Sequence, residues 1–200
     1  MAAHISKDQI SLFGKEAGRL SGYLLFAIII SLFLTACTTR VPELVFPEQL
    51  NFQGKTYQQV TDNRLGEMRQ SLYLLRDSDK NPEQWQQGIL LFSDRNTAEQ
   101  TLAQRLATRQ QHTATTQAAI DYHLTQGELR SQGVYLPTER FPNVQLEVTR
   151  GRNLSCGYGQ MQVAQKQKFA KTDIFSPPCD QQLQQLATQF NQLAWQLECR

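Results

Sequence analysis

Histidine, tryptophan and methionine are scarce in this chain: three, two and three among 200 residues. With so few imidazoles, no C-x-x-C and no His or acidic pair at zinc spacing, the sequence offers no metal centre. Charge of one sign is also missing. The residues from 37 onward carry 17 Lys and Arg against 16 Asp and Glu, too even a balance for a nucleic-acid partner. Glycine never forms a phosphate cradle: Gly157-Tyr158-Gly159 has no third glycine, lysine or helix start after it, and instead suggests a bulge or a backbone against which Cys179 or the last helix packs. Ser155, in Asn153-Leu154-Ser155-Cys156-Gly157, lacks the first glycine of a G-x-S-x-G nucleophile turn. Long apolar runs are absent too, save one, Leu20 to Leu34.

That run ends in Leu34-Thr35-Ala36-Cys37 and follows Lys7, Lys15 and Arg19, which outnumber Asp8 and Glu16. A positive start, an apolar stretch of about 7 to 15 residues and small residues at the cut site make a secretory signal. About 20 apolar residues are needed to cross a bilayer, and this run is shorter. The Leu34-Thr35-Ala36-Cys37 sequence resembles the lipobox of bacterial lipoprotein precursors. The resemblance implies cleavage before Cys37, with Leu34, Thr35 and Ala36 as recognition residues and Cys37 as the lipidated residue. No other cofactor is expected beyond the diacylglycerol and N-acyl chain on Cys37, and two or three chains anchor stably where one does not. Thr38 stands where an Asp would retain such a protein in the inner membrane, so the resemblance implies the periplasmic face of the outer membrane, with the inner membrane as the alternative address. An uncleaved anchor and an ordinary secreted protein are the rival readings.

Three cysteines then remain in an oxidising compartment: Cys156, Cys179 and Cys199. A helix of about 18 residues between Cys179 and Cys199 would hold them some 27 to 30 Å apart, too far for a disulfide. Cys156 is therefore one partner, Cys179 the favoured other and Cys199 the runner-up.

The organisation expected is a signal peptide over 1–36, a lipidated tether over 37–49 containing Pro42 and Pro47, and one α+β periplasmic domain over 50–200. Strands are predicted at Met68 to Leu75 and Gln86 to Phe92, across a break of Asp, Ser, Asn and Pro. A weaker hairpin is expected over Leu50 to Val60. Asn96 and Glu99 have the spacing of a capping box for a helix from Thr97 to Gln110 that buries Ala98, Leu102 and Leu106.

Alternation then predicts strands around Ile120 to Leu124, Glu128 to Leu136 with a bulge at Gly133, Val144 to Val148, and Leu154 to Val163 after a turn at Arg150-Gly151-Arg152-Asn153. A last strand is placed over Gln167 to Thr172. Ser176 and Pro177 open a final helix with Leu183, Leu186, Phe190, Leu193 and Leu197 on one stripe. The fold class expected is α+β: a mainly antiparallel sheet of five to seven strands with two helices packed on one face. Glutamine, used heavily, is read as solvent-facing.

His123, beside Asp121 and Thr125, and His112 read as solvated, and Trp85 and Trp195 as core. A Cys156–His123 catalytic pair is conceivable, but any intrachain disulfide consumes Cys156. No catalytic residue and no metal ligand is assigned. The expected function is non-catalytic: a lipid-anchored binding or assembly component of an envelope complex, partnered by the membrane through its lipid and by an envelope protein, with no nucleic acid. A periplasmic enzyme, with His123, Glu147 and Cys156 in one pocket, and a carrier of an apolar ligand under the last helix are the alternatives.

Overall fold

Period-two alternation across turns such as Gln53-Gly54 and Gln126-Gly127 produces a chain built mostly of antiparallel strands. The computed structural model describes residues 41–200 apart from 79, 117, 140, 141 and 168–176. Leu34, Thr35, Ala36 and Cys37, the proposed helix cap Ser176 and most of the strand placed over Gln167 to Thr172 lie outside the described residues. Two four-strand meanders carry the fold. The first is β2 (Gln49–Phe52), β3 (Lys55–Leu65), β4 (Met68–Leu75) and β5 (Gln87–Asp94); the second is β6 (Ala118–Thr125), β7 (Glu128–Tyr135), β8 (Val144–Leu154) and β9 (Gly157–Gln167). They join side by side where β5 pairs with β9, giving one sheet of order β2-β3-β4-β5-β9-β8-β7-β6. The register shifts once, between Gln59 and Thr61, whereas Gly133 pairs in line with Ile120 and makes no bulge.

Helix α1 (Leu102–Thr113) links the meanders, and α2 (Pro177–Asn191) follows the sheet. The short strands β1 (Leu44–Val45) and β10 (Glu198–Cys199) pair separately. Beside them Glu43 and Arg200 exchange backbone hydrogen bonds of 2.9 and 3.0 Å. Leu44 and Phe46 are buried, so the described part of the segment expected to be tether, from about residue 43 onward, belongs to the folded unit. That boundary moves from residue 50 to about residue 43.

The core lies on one face of the sheet. Tyr57, Tyr73, Ile89, Leu91, Leu146, Val148, Met161 and Val163 point to this face and meet Leu183, Leu186 and Phe190 of α2. Each such side chain contributes on the order of 1.5–3 kcal/mol when fully buried. Phe52 of β2 packs edge-on against Phe190, with ring centroids 5.9 Å apart, while Arg150 of β8 donates to the Phe190 carbonyl. Laid flat, β2 and β8 would be about 24 Å apart at roughly 4.8 Å per strand step. The sheet therefore curls around α2.

Two features of the expected fold class are overturned. The main sheet has eight strands rather than five to seven, and the two helices lie on opposite faces. Register shows the second point: Val148 and Arg150 point to α2, whereas Glu147, Gln160 and Gln162 point to α1. The sheet gains length at Arg150 to Leu154, where the expected turn is instead the continuation of β8. The turn falls at Ser155-Cys156 and is closed by Gly157, whose φ of +135° suits glycine alone.

Helix α1 begins later than its first Asn suggests. Thr101 and Gln104 form the capping box, while Asn96 and Glu99 adopt positive φ in the preceding loop and the Asn96 side-chain carbonyl accepts from the Gln100 amide. Helix α2 stops at Asn191, and Leu197 is buried in the extended segment beyond it. That early stop overturns the favoured Cys156–Cys179 disulfide. The chain doubles back, Cys199 reaches Cys156 with alpha carbons 5.8 Å apart, and the two are bonded. Cys179, in the first turn of α2, is buried and free. The same returning segment packs on Gly159, where an added Cβ would sit 2.8 Å from Leu197. Neither Cys179 nor α2 takes that place.

Candidate functional site

Helix α1 is attached to the sheet by polar side chains four residues apart, and this leaves a cavity beneath it. Arg105 pairs with Asp94 at 2.8 Å and stacks 4.1 Å over the Tyr158 ring. Arg109 donates to the Tyr158 hydroxyl at 3.0 Å and to the Gln160 side-chain oxygen. Thr113 and Tyr122 share a hydrogen bond of 2.7 Å. No residue of the helix is fully buried; Leu102 and Leu106 are half-buried, and Ala98 lies before its start. An apolar stripe would have sealed the helix onto the strands. Arginines hold it at the length of their side chains instead.

The resulting cavity measures about 400 Å³. Its floor is the outer face of β7, β8 and β9: Ser131, Tyr135, Glu147, Thr149, Gln160 and Gln162. Tyr122 of the edge strand β6 closes one side, and Thr108, Arg109, His112 and Thr113 hang from the helix. Ser131 and Thr149 are buried and share a hydrogen bond of 2.6 Å. Gln145 donates to Glu147 at 3.1 Å, and the Tyr135 hydroxyl is its second hydrogen-bond partner.

Glu147 is the only carboxyl among the residues lining this cavity. Burial pushes its pKa up to about 7, and the hydrogen bond from Gln145, the charge of Arg109 and the hydrogen bond from Tyr135 offset only part of that rise. Near neutral pH it both donates and accepts. Burial likewise raises the Tyr135 hydroxyl, so it stays protonated. A cavity of this size, with convergent polar groups and one carboxyl moved toward neutrality, has the properties of a small-molecule site.

Glu147, weighed in the sequence only as part of a three-residue pocket, is brought into a site; the other members of that pocket are not. His123 is exposed on the opposite face of the sheet, where it pairs with Arg130, and Cys156 is consumed by its bond to Cys199. His112 sits exposed at the cavity rim. Tyr122, Tyr135, Gln160 and Gln162 were missed. The available signal was the Arg105, Arg109, Thr113 spacing of four, which marks a polar underside of the helix.

Two further regions bear on the site by contrast. Glutamines read as solvated surface converge in a second, more open cleft of about 470 Å³, where Gln53, Gln87 and Gln165 face Gln182 and Gln189 of α2. On the core face, Glu128 is buried and takes hydrogen bonds from Arg130 at 2.7 Å, Arg150 at 2.8 Å and Arg152 at 2.6 Å. Arg150 also donates to the Leu193 carbonyl at 2.6 Å, satisfying backbone just past the end of α2. Trp195, half-buried against the core, lies 4.6 Å under the Arg152 guanidinium, and Trp85 lies 3.9 Å under Lys166.

Comparison with known proteins places the chain. One protein-family model matches residues 44–195, which is more than half of the sequence. The chain belongs to that family. An uncharacterised protein of Haemophilus influenzae is 30% identical over a 151-residue alignment that covers 71% of this chain and 77% of the relative. No solved structure matches. The family match opens at Leu44, the first residue of β1, and takes in every strand and helix lining the cavity.

Proposed function

We propose that this protein is a lipid-anchored component of the bacterial envelope, tethered through Cys37 to the periplasmic face of the outer membrane, whose domain binds other envelope components without catalysis. The observation that carries the reading is the Cys156–Cys199 disulfide. Such bonds persist in oxidising compartments and are rare in the cytosol, and the lipobox supplies the route to one. Closing a loop of 43 residues stabilises the fold by about 4 kcal/mol in the chain-entropy account.

The packing of Leu183, Leu186 and Phe190 into the core weighs against an apolar carrier with its cavity under α2. Among the described residues no helix is long and apolar enough to cross a membrane.

Glu147 supports a second reading, because a carboxyl titrating near neutrality suits a general acid. Glycoside hydrolysis in its usual form requires a second carboxylate on the other side of the scissile bond, and the lining supplies only one. Binding is the better fit.

The anchor is tested by mass spectrometry of the mature amino terminus and by fractionating Cys37→Ala. A diacylated or triacylated Cys37 peptide is expected, with the variant leaving the membrane fraction. An unmodified peptide spanning Ala36 to Arg40 overturns the proposal.

A further inference from the structure

We infer that Arg130 and Arg152, held by Glu128 at the margin of the core face where α2 ends, form a binding site for a phosphate monoester. This rests on the binding reading above and gives it a ligand class.

Charge is the first argument. Arg150 and Glu128 are both buried and balance each other, so the carboxylate already has its counter-ion. Arg130 and Arg152 nevertheless bind the same carboxylate, at 2.7 and 2.5 Å, and among the described residues none of the three arginines has another acid within ion-pair distance. Three guanidiniums on one carboxylate leave two positive charges over. On the edge strand β6 the residue facing Arg130 is His123, and Asp121 lies further along, opposite Gln132. The other partly buried pairs, Arg69 with Asp62 and Arg105 with Asp94, are one to one. The two surplus cations repel each other, and a dianion bound to both relieves that repulsion.

The free donors are the second. Arg130 spends only Nε on Glu128, and Arg152 spends Nε and Nη2. Both terminal nitrogens of Arg130 and Nη1 of Arg152 meet no acceptor among the described residues, and the two side chains are 22% and 36% exposed. Their guanidiniums are also fixed in place. Arg130 sits on one oxygen of Glu128 and Arg152 on the other, with the Trp195 ring 4.6 Å from the Arg152 guanidinium. Little side-chain freedom remains to be lost when a ligand arrives. Planar N–H forks of this kind match the oxygens of a phosphate. A phosphate monoester, doubly charged near neutral pH, balances the two charges, whereas a single carboxylate leaves one unmet.

The full chain, held in a non-ionic detergent at constant low ionic strength, is titrated by calorimetry with inorganic phosphate, glycerol 3-phosphate, dihexanoyl phosphatidic acid and acetate. Saturable binding of phosphate and both esters is expected, at least tenfold weaker in Arg130→Gln and in Arg152→Gln and unchanged in Arg64→Gln, an exposed arginine of the other meander. Arg130→Lys, which keeps the charge and loses the fork, is expected to recover only part of the affinity. Equal affinity for the two esters identifies a soluble phosphomonoester, and a preference of tenfold or more for the phosphatidic acid identifies a lipid headgroup. Thermal unfolding of each variant establishes that it is folded, and either glutamine variant alone suffices.

The site is overturned if neither phosphate nor an ester saturates up to about 20 mM, a concentration that would reveal even millimolar affinity. It is equally overturned if acetate binds as tightly as phosphate, or if both glutamine variants bind as the parent does. Absence of phosphate binding would leave the Cys37 experiment unaffected, so the two failures are read apart.

Discussion

Two glutamates sit on opposite faces of the same sheet and are driven in opposite directions. Glu128, on the core face, is desolvated, yet hydrogen bonds from Arg150, Arg130 and Arg152 outweigh burial and bring its pKa down to about 2. Glu147, under α1, has one amide and one hydroxyl for company, and burial carries its pKa up to about 7. The first carboxylate is a fixture of the fold. The second lines a cavity and has only neutral hydrogen-bond partners, Gln145 and Tyr135. Burial alone does not separate the two; the number of guanidinium partners does.

The largest test of the comparison removes a partner from the core face. Arg150→Ala leaves Glu128 short of its best-buried cation and strips the end of α2 of its donor, so unfolding by denaturant is expected to show a loss of about 3–5 kcal/mol. A loss below about 1 kcal/mol would mean that Arg130 and Arg152 alone hold the carboxylate, and that the arginine count is not what distinguishes the faces.

A smaller effect of opposite sign is expected under α1. The folded state holds the Glu147 proton more tightly than the unfolded chain does, so the stability contributed by Glu147 is complete below about pH 4.5 and falls as pH rises toward 7. Glu147→Gln removes that penalty. The variant should be more stable than the parent by about 1–3 kcal/mol at pH 8, with the difference shrinking toward pH 4. Glu128 runs the other way, its contribution present above pH 4.5 and lost as pH falls toward 2. Denaturation curves of parent and Glu147→Gln across pH 4 to 8 check the sign; a constant difference would refute the assignment.

The smallest effect concerns the helix itself. Thr113→Val deletes the hydrogen bond to Tyr122 and should cost about 1 kcal/mol globally, while amide exchange across α1 accelerates and that of α2 does not change. Equal acceleration in both helices would show that the two faces open as one unit.

Much of this architecture was legible because it is local. The turn-rich break between β4 and β5 with the unbroken Ile89 to Phe92 run, the alternation in β8, and the Leu183, Leu186, Phe190 stripe of α2 are all short-range signals. Alternation even set Gln145, Glu147 and Thr149 on the face away from the core. It could not show that a helix covers that face, because the helix is fastened by arginines rather than by the apolar stripe that signals contact. Arg150 and Arg152 look like turn residues until Glu128, more than 20 positions earlier, lies beside them. Cysteine pairing failed for a related reason: it depended on where α2 stops, and Leu193 and Leu197 continue the helical spacing after the helix has ended.

Pairing β1 with β10 has a consequence for engineering as well as for stability. With Glu43 and Arg200 bonded backbone to backbone, the polypeptide enters and leaves its domain at one pole. A short peptide could splice these ends, and fresh termini cut at the exposed Gln126-Gly127 tip would interrupt none of the ladders. A fluorescent reporter fused after Arg200 would emerge beside the doorway through which the chain arrives.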